Sequence, residues 1–201
     1  MTDTYIYDKT ITEDGEVIES EKVTKDISKK LVFITNGTGG CGKDTFAHIL
    51  NHYVDVVKIS SIEPVKNVAE YAGWGRKKTE KARKFLSDLK LAMTAYNDAP
   101  FVYLKRNYDW YMYSWSHPNF DGKDKPHVLI MDIREPEEIE RAKKAFNAKT
   151  ILIKNDRVAP ITSNMADAGV FNYDYDFVIE NNGTLEEFEE TIKKWAEENV
   201  L

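Results

Sequence analysis

From Leu31 onward, apolar residues come in short blocks separated by segments of helical period. Five blocks read as strands: Leu31–Thr35, Val56–Ser60, His127–Asp132, Thr150–Lys154 and Phe177–Glu180. Several lack inside–outside alternation, the pattern of a strand covered on both faces. Between them, Phe85, Leu86, Leu89, Ala92, Met93 and Tyr96 fall on one helical face. Ile139, Ala142 and Phe146 recur at helical spacing after Pro136, a residue that the first turn of a helix tolerates. The last segment opens with Thr184-Leu-Glu-Glu187, a capping box, and carries Leu185, Phe188, Ile192 and Trp195 on one face. Strands alternating with helices predict an α/β fold: a five-stranded parallel sheet with helices on both faces and right-handed crossovers. Some sixty residues separate the second and third strands, so a helical insertion is expected over about 62–125. Residues 1–30 differ. They are polar, with Tyr5, Tyr7, Val17 and Ile18 set around Glu13-Asp14-Gly15, and a small hairpin or a loosely attached arm fits equally well.

Length and composition narrow the class. At 201 residues the chain is expected to hold one main domain, residues 31–201. Its 34 acidic and 28 basic residues give a formal net charge of −6, which argues against whole-surface affinity for nucleic acid or anionic membrane. A 42% share of hydrophobic residues supplies a core and excludes disorder as a description of the whole chain. The longest apolar runs, such as Val128-Leu129-Ile130-Met131, are far short of the ~18 residues that span a bilayer. No basic segment followed by an apolar run stands at the N-terminus, and the single cysteine, Cys41, has no partner for an internal disulfide. A cytoplasmic, soluble protein is the expectation.

Glycine is concentrated in one place. Gly37, Gly39, Gly40 and Gly42 are four of the ten glycines, inside six residues, between the strand Leu31–Thr35 and the helical run from Phe46. With Lys43 they form G-x-x-x-x-G-K, the phosphate-binding loop. Close wrapping of an anion calls for backbone angles that other residues resist, the following helix adds its N-terminal partial charge, and Lys43 adds a mobile full one. By chance alone this pattern arises in about one chain in fifteen of this length, and the flanking strand and helix make it rarer still. Asp44 stands where Ser or Thr usually follows the lysine. A carboxylate there offers a hard oxygen to Mg²⁺, directly or through water, and Thr45 can contact an inner phosphate. Cys41 reads as a small residue of the loop, with oxidation sensitivity as the other reading.

Other candidates are less specific. Asp132 closes an apolar strand, where a carboxylate reaches a nucleotide's magnesium in such folds; alone it would read as a cap residue, and the glycine loop tips the balance. Arg134 follows at the sheet edge where α/β ligands bind, although pairing with Glu137 or Glu138 accounts for it as well. Arg157 opens a long connection, about 155–172, of the kind that forms lids. It would close over transferring phosphates or lie in solvent. The basic run Arg76–Lys84 attracts an anionic acceptor or is a solvated helix face. Tyr108, Trp110, Tyr111, Tyr113 and Trp115 read as packed core residues rather than base-stacking ones. His48 and His52 lack the glutamate of a zinc-protease motif, since position 49 is Ile49. His117 and His127 show no partner in the sequence.

These motifs carry a resemblance. Gly42-Lys43-Asp44-Thr45, Ser60-Ser61-Ile62-Glu63-Pro64-Val65-Lys66, Met131-Asp132-Ile133-Arg134-Glu135-Pro136-Glu137-Glu138 and Asp176-Phe177-Val178-Ile179-Glu180-Asn181-Asn182-Gly183-Thr184-Leu185 resemble deoxynucleoside monophosphate kinases of the P-loop kinase superfamily. Animal-type phosphomevalonate kinases are similar in layout. The resemblance runs from Leu31 to the C-terminus and implies a three-layer P-loop kinase fold. It implies that Gly37, Gly39, Gly40, Cys41, Gly42, Lys43, Asp44 and Thr45 hold ATP, with Asn181–Thr184, Asn182 and Gly183 foremost, bordering the adenine. Asp44 and Asp132 would serve Mg²⁺; Lys66, Arg83 and Arg134 would face the acceptor's phosphate, and Arg157 would belong to the lid. Lys43, Asp132, Arg134 and Arg157 would then be the catalytic set.

The expected activity is ATP- and Mg²⁺-dependent phosphoryl transfer to a small phosphorylated acceptor, a (deoxy)nucleoside monophosphate. A non-nucleotide phosphate such as phosphomevalonate is the alternative acceptor, and a non-catalytic nucleotide-binding regulator the alternative class. No Asn-Lys-x-Asp guanine motif is present to suggest a GTPase.

Overall fold

The computed structural model describes residues 6–11, 17–22, 30–77, 79–116, 127–159 and 169–201. Seven strands and six helices follow among them: β1 (Ile6–Ile11), β2 (Val17–Lys22), β3 (Lys30–Asn36), α1 (Lys43–Leu50), β4 (Asp55–Ser60), α2 (Glu63–Tyr71), α3 (Glu80–Asn97), α4 (Ala99–Ser116), β5 (His127–Asp132), α5 (Pro136–Phe146), β6 (Lys149–Lys154), β7 (Phe177–Glu180) and α6 (Leu185–Asn199). β1 and β2 pair antiparallel as a hairpin. The other five strands form one sheet in the order β4-β5-β3-β6-β7, every neighbouring pair parallel. All five expected strands are present, three of them longer by one or two residues at their ends.

The missing alternation has the anticipated cause. Successive residues of β3 and β5 feed opposite cores. Phe33, Val128 and Ile130 pack with α1 and α6 residues such as Phe46, Leu50, Ile192 and Trp195. Val32, Ile34, Leu129 and Met131 pack with Leu104 and Tyr111 of α4 and with Ile139, Ala142 and Phe146 of α5. Both faces of these strands are apolar because both are covered. Three layers result. The capping box closes as the sequence suggested, with the Thr184 hydroxyl accepting from the Glu187 N–H and the Glu187 carboxylate accepting from the Thr184 N–H.

The insertion between β4 and β5 is helical, but its interior departs from expectation. On α3 the proposed apolar stripe is only partly covered, with Phe85 38% and Tyr96 88% exposed, and the buried residue of the helix is Lys90. The aromatic stretch of α4 also divides: Tyr111 is fully buried, whereas Trp110 is 59% and Tyr113 68% exposed. Aromatics at successive positions lie ~100° apart around a helix, so they cannot all face one core. Trp115 and His117 fall outside the side chains described, as do Lys78 of the basic run and lid residues 160–168.

The α6 face is held by aromatic contacts. Trp195 meets Phe33, Phe46 and Phe177 edge-on, with centroid separations of 5.2, 5.6 and 5.6 Å. Trp195→Ala is expected to cost about 3–5 kcal/mol by opening a cavity between α1, α6 and the sheet. Urea unfolding followed by far-ultraviolet circular dichroism measures it, and a loss below about 1 kcal/mol would mean the site collapses.

Candidate functional site

The carboxyl ends of the parallel strands meet at the turn from β3 into α1. Asn36, the last residue of β3, is fully buried. Its side-chain oxygen accepts from the Gly37 N–H at 2.8 Å, and its amide nitrogen donates to the Arg134 carbonyl at 3.0 Å and to the Tyr175 hydroxyl at 2.8 Å. Tyr175 in turn donates to the Val170 carbonyl at 2.7 Å, and burial pushes its phenol up to about 12, so it stays a donor.

Two glycines of the loop are sterically obligatory. Gly37 has φ +147°, and a Cβ there would strike the Ile153 carbonyl and the Cys41 sulfur. Gly42 caps α1 at φ +109°, where a Cβ would come within 2.5 Å of the Asn181 side-chain nitrogen. Between them, Cys41 is fully buried; its N–H donates to the Thr38 carbonyl at 3.2 Å and its carbonyl accepts from Asn181 Nδ2 at 2.9 Å. Cys41 is therefore a small packing residue of the loop. α1 starts directly at Lys43, and the first-turn N–H groups of a helix have no acceptor within it, which suits an anion. The Lys43 ammonium folds back over the loop, donating to the Gly37 and Thr38 carbonyls at 2.6 and 3.2 Å.

The two carboxylates converge on a residue that sequence reasoning did not single out. Lys58, on β4, bonds Asp44 and lies 3.0 Å from Asp132 Oδ2. The other oxygen of Asp132 accepts from the Thr35 hydroxyl. Register explains the convergence, because Thr35 and Ser60 are both paired with Asp132 across the sheet. Burial alone would lower the Lys58 ammonium, yet the Asp132 charge and the bonds to both carboxylates outweigh it, and the net direction is upward. Two carboxylates that share one cation form a donor set of hard oxygens suited to Mg²⁺, so the residues present fit that ion.

Arg157 and the Asn181–Asn182 pair flank the same loop. The Arg157 guanidinium donates to the Asn181 carbonyl at 3.2 Å, while Asn182 exchanges two 2.8 Å bonds with Asp156. The loop, Asp44, Asp132, Arg157, Asn181 and Asn182 are thus joined through contacts, and Arg134 joins them through its backbone. Gly183 lies one turn on, at the cap of α6, against the Glu187 carboxylate. Thr45 is on the first turn of α1. Lys66 and Arg83 belong to the insertion, on α2 and α3, and Lys66 pairs with Glu63 at 3.1 Å. His127 pairs with Asp55 at the amino ends of β5 and β4, opposite the loop.

Next to Arg134 in the chain lies a half-buried cluster around the buried Lys90. Lys90 reaches from α3 to Glu135 and Glu138 at 2.6 and 2.7 Å, tying the insertion to the segment after Asp132. Of the pairings considered for Arg134, Glu138 is thus engaged by Lys90.

The comparisons with known proteins bear on this site. Residues 100–192 match the family described as deoxynucleotide monophosphate kinase, a span of a little under half the chain that begins after the glycine loop and takes in β5, α5, β6 and β7. Over that span the chain resembles that family. No curated protein matches it. Among solved structures, TT1252 from Thermus thermophilus is similar over 86% of this chain and 99% of its own, with 15% identity and a TM-score of 0.45. An APS kinase from Mycobacterium tuberculosis is similar over 85% of this chain and 99% of its own (10% identity, TM-score 0.38). A dephospho-CoA kinase from Campylobacter jejuni is similar over 84% of this chain and 97% of its own (15% identity, TM-score 0.35).

The Lys90 cluster generates a pH prediction. Burial alone would raise both carboxyls; at Glu135 the Lys90 ammonium reverses this, whereas Glu138, which also faces the Glu135 charge, rises to about 7. An unfolded glutamate titrates near about 4.3, so between there and about pH 7 the folded protein keeps a proton that the unfolded chain has lost. Stability from Glu138 therefore falls as pH rises through that window. Glu135 acts oppositely, below the ordinary glutamate range. Relative to Glu138→Gln, the wild type should lose urea resistance between pH 5 and 7.5; parallel profiles for the two proteins would refute the assignment.

Proposed function

We propose that the chain catalyses ATP- and Mg²⁺-dependent phosphoryl transfer to a small phosphorylated acceptor, a (deoxy)nucleoside monophosphate. The observation that carries the reading is the junction of β3 and α1, where a G-x-x-x-x-G-K turn, a helix start and the Lys43 ammonium meet the carboxylates of Asp44 and Asp132. The deoxynucleotide monophosphate kinase match over residues 100–192 supports the choice of acceptor.

The chemistry needs little from a side-chain base. An acceptor phosphate has a second pKa near ~6 and is largely dianionic at neutral pH. One of its oxygens attacks the γ-phosphorus in line, a new O–P bond forms, the bond to the bridging β-oxygen breaks, and ADP leaves with that electron pair. No proton has to move, so the site works by alignment and charge stabilisation. In this reading Gly37–Thr45 hold the donor's phosphates and Lys43 exchanges its bonds to the Gly37 and Thr38 carbonyls for phosphate oxygens. Asp44 and Asp132 would hold Mg²⁺, which would neutralise phosphate charge when bound. Arg157 lies beside the loop and closes over the transferring group, with Asn182 and Gly183 at the adenine side. Arg134, Lys66 and Arg83 take the acceptor's phosphate, so the α2–α4 insertion is the acceptor-binding part and residues 155–172 are the lid.

One assay separates this reading from its rivals. The full-length protein is given ATP, Mg²⁺ and a panel of nucleoside and deoxynucleoside monophosphates together with phosphomevalonate, and ADP release is followed. Release with a nucleotide from the panel is expected. Turnover of phosphomevalonate alone would move the acceptor outside the nucleotides, and ATP binding without acceptor-dependent ADP release would identify a regulator. Lys43→Ala should lower kcat/KM for ATP by at least about tenfold, since a charge-assisted bond to the transferring phosphate is lost. Unchanged kinetics in a folded variant would remove Lys43 from the mechanism.

A further inference from the structure

Lys58 is a charged residue in the apolar strand Asp55-Val-Val-Lys-Ile-Ser60, and its side chain is only 23% exposed. It has no part in the G-x-x-x-x-G-K motif, yet its ammonium meets both Asp44 of α1 and Asp132 of β5. The two arms differ. Asp44 is 97% exposed, so its bond to Lys58 is a surface pair of small worth, whereas Asp132 is 19% exposed and anchors the lysine. With Asp132 Oδ1 taken by Thr35, Lys58 holds the remaining oxygen, Oδ2.

We propose that Lys58 is an exchangeable internal counter-ion for this carboxylate pair: its ammonium marks the shared cation position and leaves it when a divalent ion takes both carboxylates. The inference rests on the reading of Asp44 and Asp132 as divalent-ion ligands. An ammonium and a divalent ion cannot share one point, because like charges in contact repel. A divalent ion brings two positive charges to the pair where the ammonium brings one, so its arrival frees the ammonium. Released on its flexible four-carbon stem, the ammonium stays within reach of anions bound over the loop. Lys58 thereby keeps the carboxylates gathered before the metal arrives and sets a threshold for its entry. It is a positioning residue for the metal.

The test uses the full-length protein with Mn²⁺ as the probe, free Mn²⁺ being counted by electron paramagnetic resonance without nucleotide. Lys58→Met is expected to tighten Mn²⁺ binding at least about fivefold, the effect of removing one unit charge roughly 4 Å away even at the dielectric of water. The metal-free variant should also melt at a lower temperature than the wild type, and Asp132→Asn in the wild-type background should weaken Mn²⁺ binding. Equal or weaker binding by Lys58→Met would overturn the proposal while leaving the carboxylate reading intact if Asp132→Asn still loses metal. Indifference of Mn²⁺ affinity to Asp132→Asn would sink both. Tighter binding with unchanged metal-free melting would also overturn it, since Lys58 would then be only background charge. Should Lys58→Met fail to fold, acetylation of Lys58 in the wild type, read by mass spectrometry, decides: Mg²⁺ should accelerate labelling of that amine, and an unchanged rate counts against displacement.

Discussion

The turn from β3 into α1 has almost no freedom, and the rest of the candidate site is arranged around that fact. β3 is the middle strand, paired on one side with β5 and on the other with β6. Its end cannot shift without disturbing both ladders. β6 then presses on the loop from one side, because the Ile153 carbonyl leaves Gly37 no room for a Cβ, and Asn181 after β7 does the same at Gly42. Asn36 adds a buried polar anchor that binds the loop, the Arg134 carbonyl and Tyr175 together. A loop held by this many independent contacts needs little reorganisation to receive an anion, which is the condition for electrostatic stabilisation to be effective.

Much of the fold was legible because its signals are local or periodic. A strand buried on both faces has no alternation, and Val128-Leu129-Ile130-Met131 shows that as plainly in the letters as in the packing. Pro136 and the Thr184–Glu187 box mark helix starts by chemistry that operates within one turn. The insertion was less legible. Its helices could be placed, but which side of α3 or α4 is covered depends on neighbours that only the tertiary structure supplies. Hence Lys90 is buried while Tyr96 is exposed, the reverse of what hydrophobicity alone predicts. A buried lysine is tolerable only with partners, and its partners lie forty-five and forty-eight residues away on α5 and its cap.

The site divides along the same line. Residues of the loop could be named from the sequence because G-x-x-x-x-G-K is contiguous, and Asp132 because it closes a strand beside that loop. Lys58 and Thr35 were not singled out because their place comes from parallel register, which aligns Thr35 and Ser60 with Asp132 and cannot be read from one strand at a time, and Asn36 because its side-chain partners, the Arg134 carbonyl and Tyr175, are distant in sequence. A signal for Lys58 was available: a charge in a strand otherwise apolar demands a counter-charge. What the strand does not say is where the counter-charge sits, since Asp44 comes from α1 and Asp132 from β5.

Both site lysines are already satisfied within the protein, and this shapes what can bind. Lys43 holds two loop carbonyls and Lys58 holds two carboxylates. Binding is therefore an exchange of partners rather than the filling of unmet charges, and a ligand gains only the difference between its contacts and those it replaces. A lone phosphate replaces the Lys43 carbonyls but leaves the carboxylates across from it, whose negative charge opposes its approach. A lone divalent ion replaces Lys58 but sets its charge against the helix start and Lys43. A polyphosphate that carries its own divalent ion meets both demands in one event, negative charge toward α1 and positive charge toward Asp44 and Asp132. Under the proposed reading, selectivity for a metal–nucleotide complex over either component follows from two opposed charge clusters set side by side, with no need for a contact to the base.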